Sequence, residues 1–391
     1  MRFLKWFLVF GLVMVIAVVA YVSIYLDTPL NAKIDTSIEG NIKYFEVNSG
    51  DSLVAISKKL YSEKLIQNPS LFRWIIKFSG HAGRVKVGEY ELNAGMKPRD
   101  IMAVLYSGKS VGRPFTVTEG MNLFELADAY EEAGYGKSDD LLAAAFDRNF
   151  VQQMLSPLVD ASTLQKVESL EGYLFPETYQ ITKYMTSKEV LQAMVKRFQI
   201  VYQQILNQEL GSAESEGNTP ANSDTNMNSN DKNVSPTTFT ENHLSPHQII
   251  TLASIIEKET GAAEERPLIS SVFHNRLKSK MMLQTDPTII YGIALETKEI
   301  PENISKEDIH RPTPYNTYTI YGLPPGPIAN PSAEAIRAAL KPESSEYLFF
   351  VSKNEGHHVF SKSYQDHVKS VQKFQLDPKS REGKSWRDLN H

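Results

Sequence analysis

Two acidic residues, Glu257 and Glu259, follow an apolar run that extends from Leu252 to Ile256. A carboxyl group held among apolar side chains is harder to ionise, so its pKa should rise towards the range that a general acid needs near neutral pH. This expectation applies first to Glu257, which directly follows the run. The alternative is that both acids lie at the rim of a buried surface with solvated carboxylates, where most acids lie.

The surrounding sequence predicts a helix. Ser245 followed by Pro246 is typical of a helix start, apolar residues recur at helical spacing, and Gly261 is a natural end. At about 100° per residue, Glu257 and Glu259 fall on opposite flanks of the apolar stripe. The spacing therefore nominates two carboxyl groups and does not choose between them.

The segments that follow this helix are rich in amide, hydroxyl and phenol groups on backbones stiffened by proline. They are residues 284–288, 314–318 and 322–328. Such loops can form a groove that binds a polar polymer through hydrogen bonds and stacks rings on its apolar faces. A sugar chain fits this description better than a flat or a charged ligand.

Several of these segments resemble a known family, the MltG-type (YceG-like) endolytic murein transglycosylases. The resemblance runs from the apolar N-terminus to near the C-terminus and rests on SLEGYLFPETY at 169–179, ASIIEKET at 253–260, QTDPT at 284–288, YNTY at 315–318 and GLPPGPI at 322–328. It implies that Glu257, the first glutamate of the helix motif, is the catalytic acid. It also implies cleavage of the β-1,4 bond between N-acetylmuramic acid and N-acetylglucosamine inside a glycan strand, leaving a 1,6-anhydro end without any cofactor.

One carboxyl group is enough for that reaction. A hydrolase needs a second carboxylate to activate water or to act as nucleophile, whereas a transglycosylase uses the sugar's own C6 hydroxyl. The expected substrate contacts are Tyr315, Asn316 and Tyr318 at the acetamido group and ring, Gln284 and Thr285 along the groove, and secondarily Asp286, Glu171, Tyr173 and His358. Each of these side chains could equally make a structural hydrogen bond.

Two other functions stay open. A lysozyme-type murein hydrolase would use Asp286 as its second carboxylate, although an Asp-Pro pair is also typical of a turn or a helix start. A non-catalytic, membrane-anchored glycan-binding scaffold would need no acid at all. Glu171 could bind substrate or anchor the loop that carries Tyr173 and Phe175.

The composition and the net charge argue against a metal site and against a nucleic-acid partner. The chain has no cysteine, and its histidines lack the spacing of a helical pair of metal ligands, so no metal site is predicted. Residues 356–361, which include His357 and His358, predict a strand near the site. A net charge of −5 argues against a nucleic-acid partner.

The N-terminus predicts a membrane anchor. Residues 1–5 form a predicted cytoplasmic stub and residues 6–26, which carry no charge, a transmembrane helix. The positive charge of Arg2 and Lys5 orients the rest of the chain outside the bacterial plasma (inner) membrane, on the periplasmic side. A signal peptide cleaved near Ala20 is the alternative. The resemblance and the anchor together suggest proximity to the synthases that extrude peptidoglycan strands.

The remaining chain predicts an α+β fold with two regions. Residues 27–160 contain three similar segments, at 47–56, 92–101 and 117–127. Each predicts a strand end, a glycine turn and a helix start in the same order. The first and third resemble LysM modules, so a LysM-like ββα/βα region is expected, either to bind glycan or only to act as a spacer. Residues 161–391 predict a mixed α/β catalytic domain, with an amphipathic helix at 188–210 and a disordered polar insert at 211–243.

Overall fold

The computed structural model describes residues 2–32, 41–80, 82–216, 244–353 and 356–377. They form a mixed helical and β fold in two compact units, one made of Met1–Pro114 with Gln180–Tyr184 and the other of Phe115–Tyr179 with Met185–His391. The mixed composition agrees with the predicted α+β class. The units divide after Pro114, and the helix of the third repeat packs with the helix that follows it. The boundary at position 160 between a repeat region and a catalytic domain stays a prediction.

The first helix, α1 (Arg2–Asp27), contains a segment, Lys5–Asp27, that is long and apolar enough to cross a membrane. A signal sequence would have the same length and composition. The end of α1 is part of the first unit, because Tyr25 is buried there and its hydroxyl donates to the Asn68 carbonyl oxygen over 3.0 Å. Arg99 also pairs with Asp27 at 2.8 Å.

The rest of the first unit is a small sheet packed on short helices. Its elements are β1 (Lys43–Val47), α2 (Leu53–Ser62), α3 (Pro69–Phe78), β2 (Gly88–Leu92) and α4 (Pro98–Ser107). β1 and β2 pair antiparallel, with Phe45 opposite Tyr90, and both rings are fully buried. The first two predicted repeats therefore each form a strand, a turn and a helix, and the third does so as β3 (Arg113–Thr116) and α5 (Leu123–Glu132).

The second unit is mainly helical. After α5 come α6 (Ser138–Ala145), α7 (Arg148–Leu155), α8 (Ala161–Leu164), β4 (Thr178–Ile181), α9 (Ser187–Glu216), α10 (Pro246–Glu259), α11 (Arg266–Lys278), α12 (Asp286–Thr297), α13 (Lys306–His310), α14 (Ala333–Leu340), β5 (Phe349–Ser352), β6 (His358–Ser361) and α15 (Tyr364–Val371). β3 pairs with β4, and β5 pairs antiparallel with β6. The predicted strand at 356–361 is thus β6.

The long helix α9 corrects the predicted insert. It continues to Glu216, so residues 211–216 are helical although disorder was predicted from position 211. A short segment such as 211–216 can extend a helix that is already formed, because each added residue gains a hydrogen bond without a new nucleation cost. Positions 217–243 of the predicted insert lie outside the described residues.

The predicted helix around position 250 is confirmed as α10. Ser245 caps its first turn in a reciprocal arrangement with Gln248, and Pro246 is its first residue. Leu252, Ile255 and Ile256 are fully buried, and α10 packs against α11, α12 and α14. This packing fixes the last turn of α10, where the two acids lie.

Candidate active site

The two acids of α10 lie on opposite flanks of its last turn, as the helical spacing predicted. Each meets a different set of partners. Glu257 contacts residues at the starts of α11 and α14, and Glu259 contacts the residue before α12. Both flanks are therefore candidates for the acid–base chemistry.

Glu257 is buried but not in apolar surroundings. Its side chain is only 5% exposed, and Arg266 Nη2 donates to its Oε1 over 2.9 Å. The backbone N–H of Ser332 donates to Oε2 over 2.8 Å, and the Ser332 hydroxyl donates to the same oxygen. A guanidinium and two further donors are the partners that an ionised carboxylate prefers. The sequence correctly predicted burial of Glu257 but not these donors, because they come from segments distant in the chain.

Glu259, the other acid that the helical spacing nominated, has a raised pKa of about 7, against an ordinary value of 4.5. Burial is the largest cause, and the negative charge of Asp286 acts in the same direction. A hydrogen bond from the Thr285 hydroxyl and the positive charge of Arg276 act in the opposite direction. A carboxyl with this pKa is protonated in a large fraction of molecules near neutral pH, as a general acid must be.

Four of the predicted groove residues cluster on the Glu259 flank. The Tyr318 hydroxyl donates to Asp286 Oδ1 over 2.7 Å, beside the Thr285 hydroxyl that contacts Glu259. Gln284 is exposed, with a left-handed φ of 48°, and its N–H donates to the Thr317 carbonyl oxygen over 3.1 Å. Asp286 is the first residue of α12, as the helix-start interpretation predicted, but its carboxylate accepts from Tyr318 and caps no backbone amide.

Two other predicted contacts hold loops together. Asn316 is 1% exposed, its Oδ1 accepts from the Tyr318 N–H, and its Nδ2 donates to three backbone carbonyl oxygens. The ring of Tyr315 packs against that of Tyr291 with centroids 5.2 Å apart. Asn316 therefore positions Tyr318, and its own contact with a substrate stays a prediction.

Glu171 and Tyr173 are both buried. Burial raises the pKa of Glu171 to about 8, and its Oε2 accepts from the Leu123 N–H over 2.8 Å. The Tyr173 hydroxyl lies 2.7 Å from His247 Nδ1, and His247 Nε2 lies 2.9 Å from the Pro325 carbonyl oxygen. A carbonyl oxygen can only accept, so His247 carries its proton on Nε2 and accepts from Tyr173. This chain of hydrogen bonds holds the proline-rich loop.

His358 contacts the segment that carries Arg266. Its Nδ1 lies 2.7 Å from Glu265 Oε2, and its backbone N–H donates to the other carboxylate oxygen over 2.9 Å. Within the described part of the chain, no group of three histidine or acidic side chains is arranged to hold a metal ion. His358 therefore positions the residue next to Arg266.

Sequence reasoning missed several residues that organise the site. Asn330 is fully buried: its Oδ1 accepts from the N–H groups of Gly172 and Leu174, both at 3.0 Å, and its Nδ2 donates to the Met121 carbonyl oxygen over 2.9 Å. Arg266 and Ser332 were missed as well. The signals were present but weak, since Asn330-Pro331 is typical of a turn and Ser332 precedes a helical pattern.

Comparison with known proteins places the chain in a family. The model of the YceG-like family matches residues 45–373. The chain belongs to the YceG-like family. This confirms the resemblance drawn from the motifs.

Relatives of this YceG-like chain have been curated. An endolytic murein transglycosylase of Bacillus subtilis strain 168 is 34% identical over 337 residues, which cover 84% of this chain and 83% of the relative. An enzyme of the same name from Streptococcus pneumoniae strain D39 is 28% identical over 359 residues, covering 84% of this chain and 58% of the relative. The crystal structure of a YceG-like protein from Listeria monocytogenes matches with a TM-score of 0.53 and 31% identity, covering 84% of this chain and 99% of that one.

Proposed function

We propose that this YceG-like protein is an endolytic murein transglycosylase. It cleaves the β-1,4 bond between N-acetylmuramic acid and N-acetylglucosamine within nascent peptidoglycan strands and so limits strand length. The observation that carries the proposal is a pair of carboxyl groups in the last turn of α10, those of Glu257 and Glu259, in a chain 34% identical to an enzyme of that name.

We propose Glu257 as the general acid, as the family motif implies, and Glu259 as the second candidate. A general acid must hold a proton at working pH and give it up in the transition state. The raised pKa of Glu259 is the argument for that residue. Glu257 is the first glutamate of the motif at 253–260, and its carboxyl group lies between Arg266 and Ser332 at the starts of α11 and α14.

The proposed reaction needs one carboxyl group in two protonation states. Protonated Glu257 donates its proton to the glycosidic oxygen as the bond to the muramyl C1 breaks, and the electron pair stays with the departing N-acetylglucosamine oxygen. The muramyl C6 oxygen then attacks C1, and ionised Glu257 takes the C6 hydroxyl proton. The enzyme returns to its starting state, and the product is a 1,6-anhydro end.

The groups around Glu259 supply the substrate contacts in this proposal. Gln284 is exposed and Tyr318 is half-buried, so both can meet a sugar next to Glu259. The charge of Asp286 can stabilise the positive charge that develops at C1. Asn316, Glu171, Tyr173 and His358 act as positioning residues.

We further propose that α1 is an uncleaved anchor in the plasma membrane, with its N-terminus in the cytoplasm and the two units on the periplasmic side. The supporting observation is that Tyr25, close to the end of the apolar span, is buried in the core of the first unit. Glycan strands leaving a synthase at the same membrane would be the nearest substrate. We propose that the LysM-like region, residues 27–160, acts as a spacer or as a second glycan contact.

The decisive experiment compares Glu259→Gln with Glu257→Gln in the full chain acting on purified, uncrosslinked glycan strands. Glu257→Gln should lower the rate at least about 100-fold, the usual minimum for a lost general acid, whereas Glu259→Gln should retain cleavage. Melting temperatures of both variants show whether each is folded, since Glu257→Gln also leaves Arg266 without its buried carboxylate. Mass analysis of wild-type products should give anhydro ends, one water lighter than hydrolysed ends.

Three results would contradict parts of the proposal. Full activity in a folded Glu257→Gln, with activity lost in Glu259→Gln, would move the role of acid to Glu259. Hydrolysed ends, together with an inactive Asp286→Asn variant, would favour a lysozyme-type hydrolase. Binding of glycan without any cleavage would favour the non-catalytic scaffold.

A further inference from the structure

An exposed aromatic pair lies on helix α3 of the first unit. Trp74 is 52% exposed and Phe78 is 72% exposed, and their rings stack with centroids 4.4 Å apart. The opposite face of the helix carries Phe72 and Ile76, which are fully buried. α3 therefore has apolar residues on two faces, and only one of them is covered by the protein.

The start of α3 is fixed to the end of the apolar helix α1. The Tyr25 hydroxyl donates to the backbone oxygen of Asn68, which is the N-cap of α3. Tyr25 also belongs to the same buried cluster as Phe72 and Ile76. The first turn of α3 thus lies at the level at which the apolar span of α1 ends.

Cationic side chains flank the aromatic pair. Arg73 and Lys77 are neighbours of Trp74 and Phe78 on α3, with Arg73 half-buried and Lys77 exposed. Aromatic rings combined with lysine and arginine are typical of helices that lie in the interfacial layer of a bilayer. A sugar-binding face would instead place amide and carboxylate groups beside the rings, and α3 has neither on its ten residues.

We propose that Trp74 and Phe78 insert into the headgroup layer on the outer side of the membrane that α1 spans, with Arg73 and Lys77 close to lipid phosphates. The inference rests on α1 being a retained anchor and is independent of the catalytic assignment. Trp74 is six residues after Asn68, about 9 Å along a helix. Because the interfacial layer is about 5–8 Å thick, α3 lies along the membrane surface rather than upright on it.

Tryptophan fluorescence tests this placement directly, because the chain has only three tryptophans, Trp6, Trp74 and Trp386. Phenylalanine replacements give full-length variants that keep Trp74 alone or Trp6 alone. Each variant is reconstituted into vesicles whose acyl chains carry bromine either near the headgroup or near the bilayer centre. Trp74 should be quenched, and more strongly by the shallow bromines, whereas unbrominated vesicles of the same headgroup composition give the reference intensity.

The Trp6 variant separates the two ways in which the inference could fail. Quenching of Trp6 without quenching of Trp74 would overturn the docking of α3 while leaving the anchor in place. An absence of quenching in both variants would show that α1 does not span the bilayer, and the inference would fall with it. A third outcome is that bromine does not quench the fluorescence of Trp74, whereas uncrosslinked glycan strands change it. That result would identify α3 as a glycan-binding face instead.

The cations provide a matched control. Quenching of Trp74 should increase as anionic lipid is added, and the double variant Arg73→Gln with Lys77→Gln should lose most of that increase. These side chains lie outside the buried cluster, so the fold should be retained. An unchanged dependence on anionic lipid in the double variant would remove the phosphate contacts from the proposal.

Discussion

Two glutamates only two positions apart on α10 have different surroundings. The Glu257 carboxyl accepts from Arg266 and from two donors of Ser332. Burial and the nearby charge of Asp286 raise the pKa of Glu259. Environment rather than residue type thus distinguishes the two carboxyl groups.

Glu259, the second candidate acid, predicts a pH profile. Catalysis by Glu259 requires its protonated form, and its pKa is raised to about 7, so the rate would then fall as pH rises through about 7. The Asp286→Asn variant removes the negative charge that helps to raise this pKa. Its alkaline limb should therefore move to lower pH while activity persists at acidic pH. The measurement is kcat/KM for glycan-strand cleavage as a function of pH.

A neutral substitution far from Glu259 serves as the control for this profile. Glu346→Gln changes an exposed acid that pairs with Lys362, so it should leave the alkaline limb where it is. An Asp286→Asn profile identical to that of the wild type would contradict the electrostatic coupling. Complete loss of activity at every pH would instead give Asp286 a direct chemical role.

At the scale of elements, the site depends on loops that are fixed to one another rather than on a continuous sheet. Asn330 joins the segment at Gly172 and Leu174 to the turn at Met121. Gly172 has a φ of 83°, and a Cβ there would lie 2.4 Å from the Pro327 side chain. The loop that carries Glu171 and Tyr173 can approach the proline-rich loop this closely only with glycine at 172.

Replacement of this glycine tests the contact. Gly172→Ala should lower the free energy of unfolding by more than about 2 kcal/mol, because it adds a left-handed backbone strain of about 1–3 kcal/mol to a collision with Pro327. Chemical denaturation monitored by circular dichroism measures the change.

Replacement of two other glycines separates the backbone strain of Gly172→Ala from its collision with Pro327. Gly134 has a φ of 76° with open space around it, so Gly134→Ala reports the backbone strain alone. Gly261 has open space and no left-handed φ, so Gly261→Ala should be close to neutral. Equal losses for Gly172→Ala and Gly134→Ala would mean that the contact with Pro327 adds nothing.

The helices were predictable from the sequence, whereas the partners of the acids were not. The capping residues and apolar spacing of α10 are local signals, and the structure follows them. Helical spacing nominated both Glu257 and Glu259, but the choice depends on Arg266, Ser332 and Thr285. These residues reach α10 only through the packing of α11, α12 and α14, and no periodicity encodes that arrangement.

At the scale of the whole molecule, the second unit encloses an acid that folding keeps protonated. Burial raises the pKa of Glu171 from 4.5 to about 8. Between these two pH values the folded state keeps the proton of Glu171 and the unfolded state loses it. The folded state then binds more protons, and its stability falls as pH rises. Glu259 acts in the same direction up to about pH 7.

This linkage predicts the effect of a neutral replacement. Between about pH 4.5 and pH 8 the wild type should lose up to roughly 1.4 kcal/mol of unfolding free energy per pH unit through Glu171. In Glu171→Gln this contribution disappears, because the titrating group is removed, so the slope should be clearly smaller. The amide oxygen can still accept from the Leu123 N–H, so the replacement keeps this hydrogen bond. Urea titrations at a series of pH values measure it. Parallel slopes for the two proteins would contradict the buried, protonated state of Glu171.

The burial of Tyr25 also affects how the protein can be handled. Shortening the chain to obtain a water-soluble fragment would normally remove residues up to the end of α1, and Tyr25 with them. The fragment would then have a cavity in the buried cluster that contains Phe72. Removing a large buried aromatic side chain typically lowers the free energy of unfolding by about 3–5 kcal/mol. Truncation after residue 24, or detergent extraction of the intact chain, keeps the Tyr25 ring in the buried cluster.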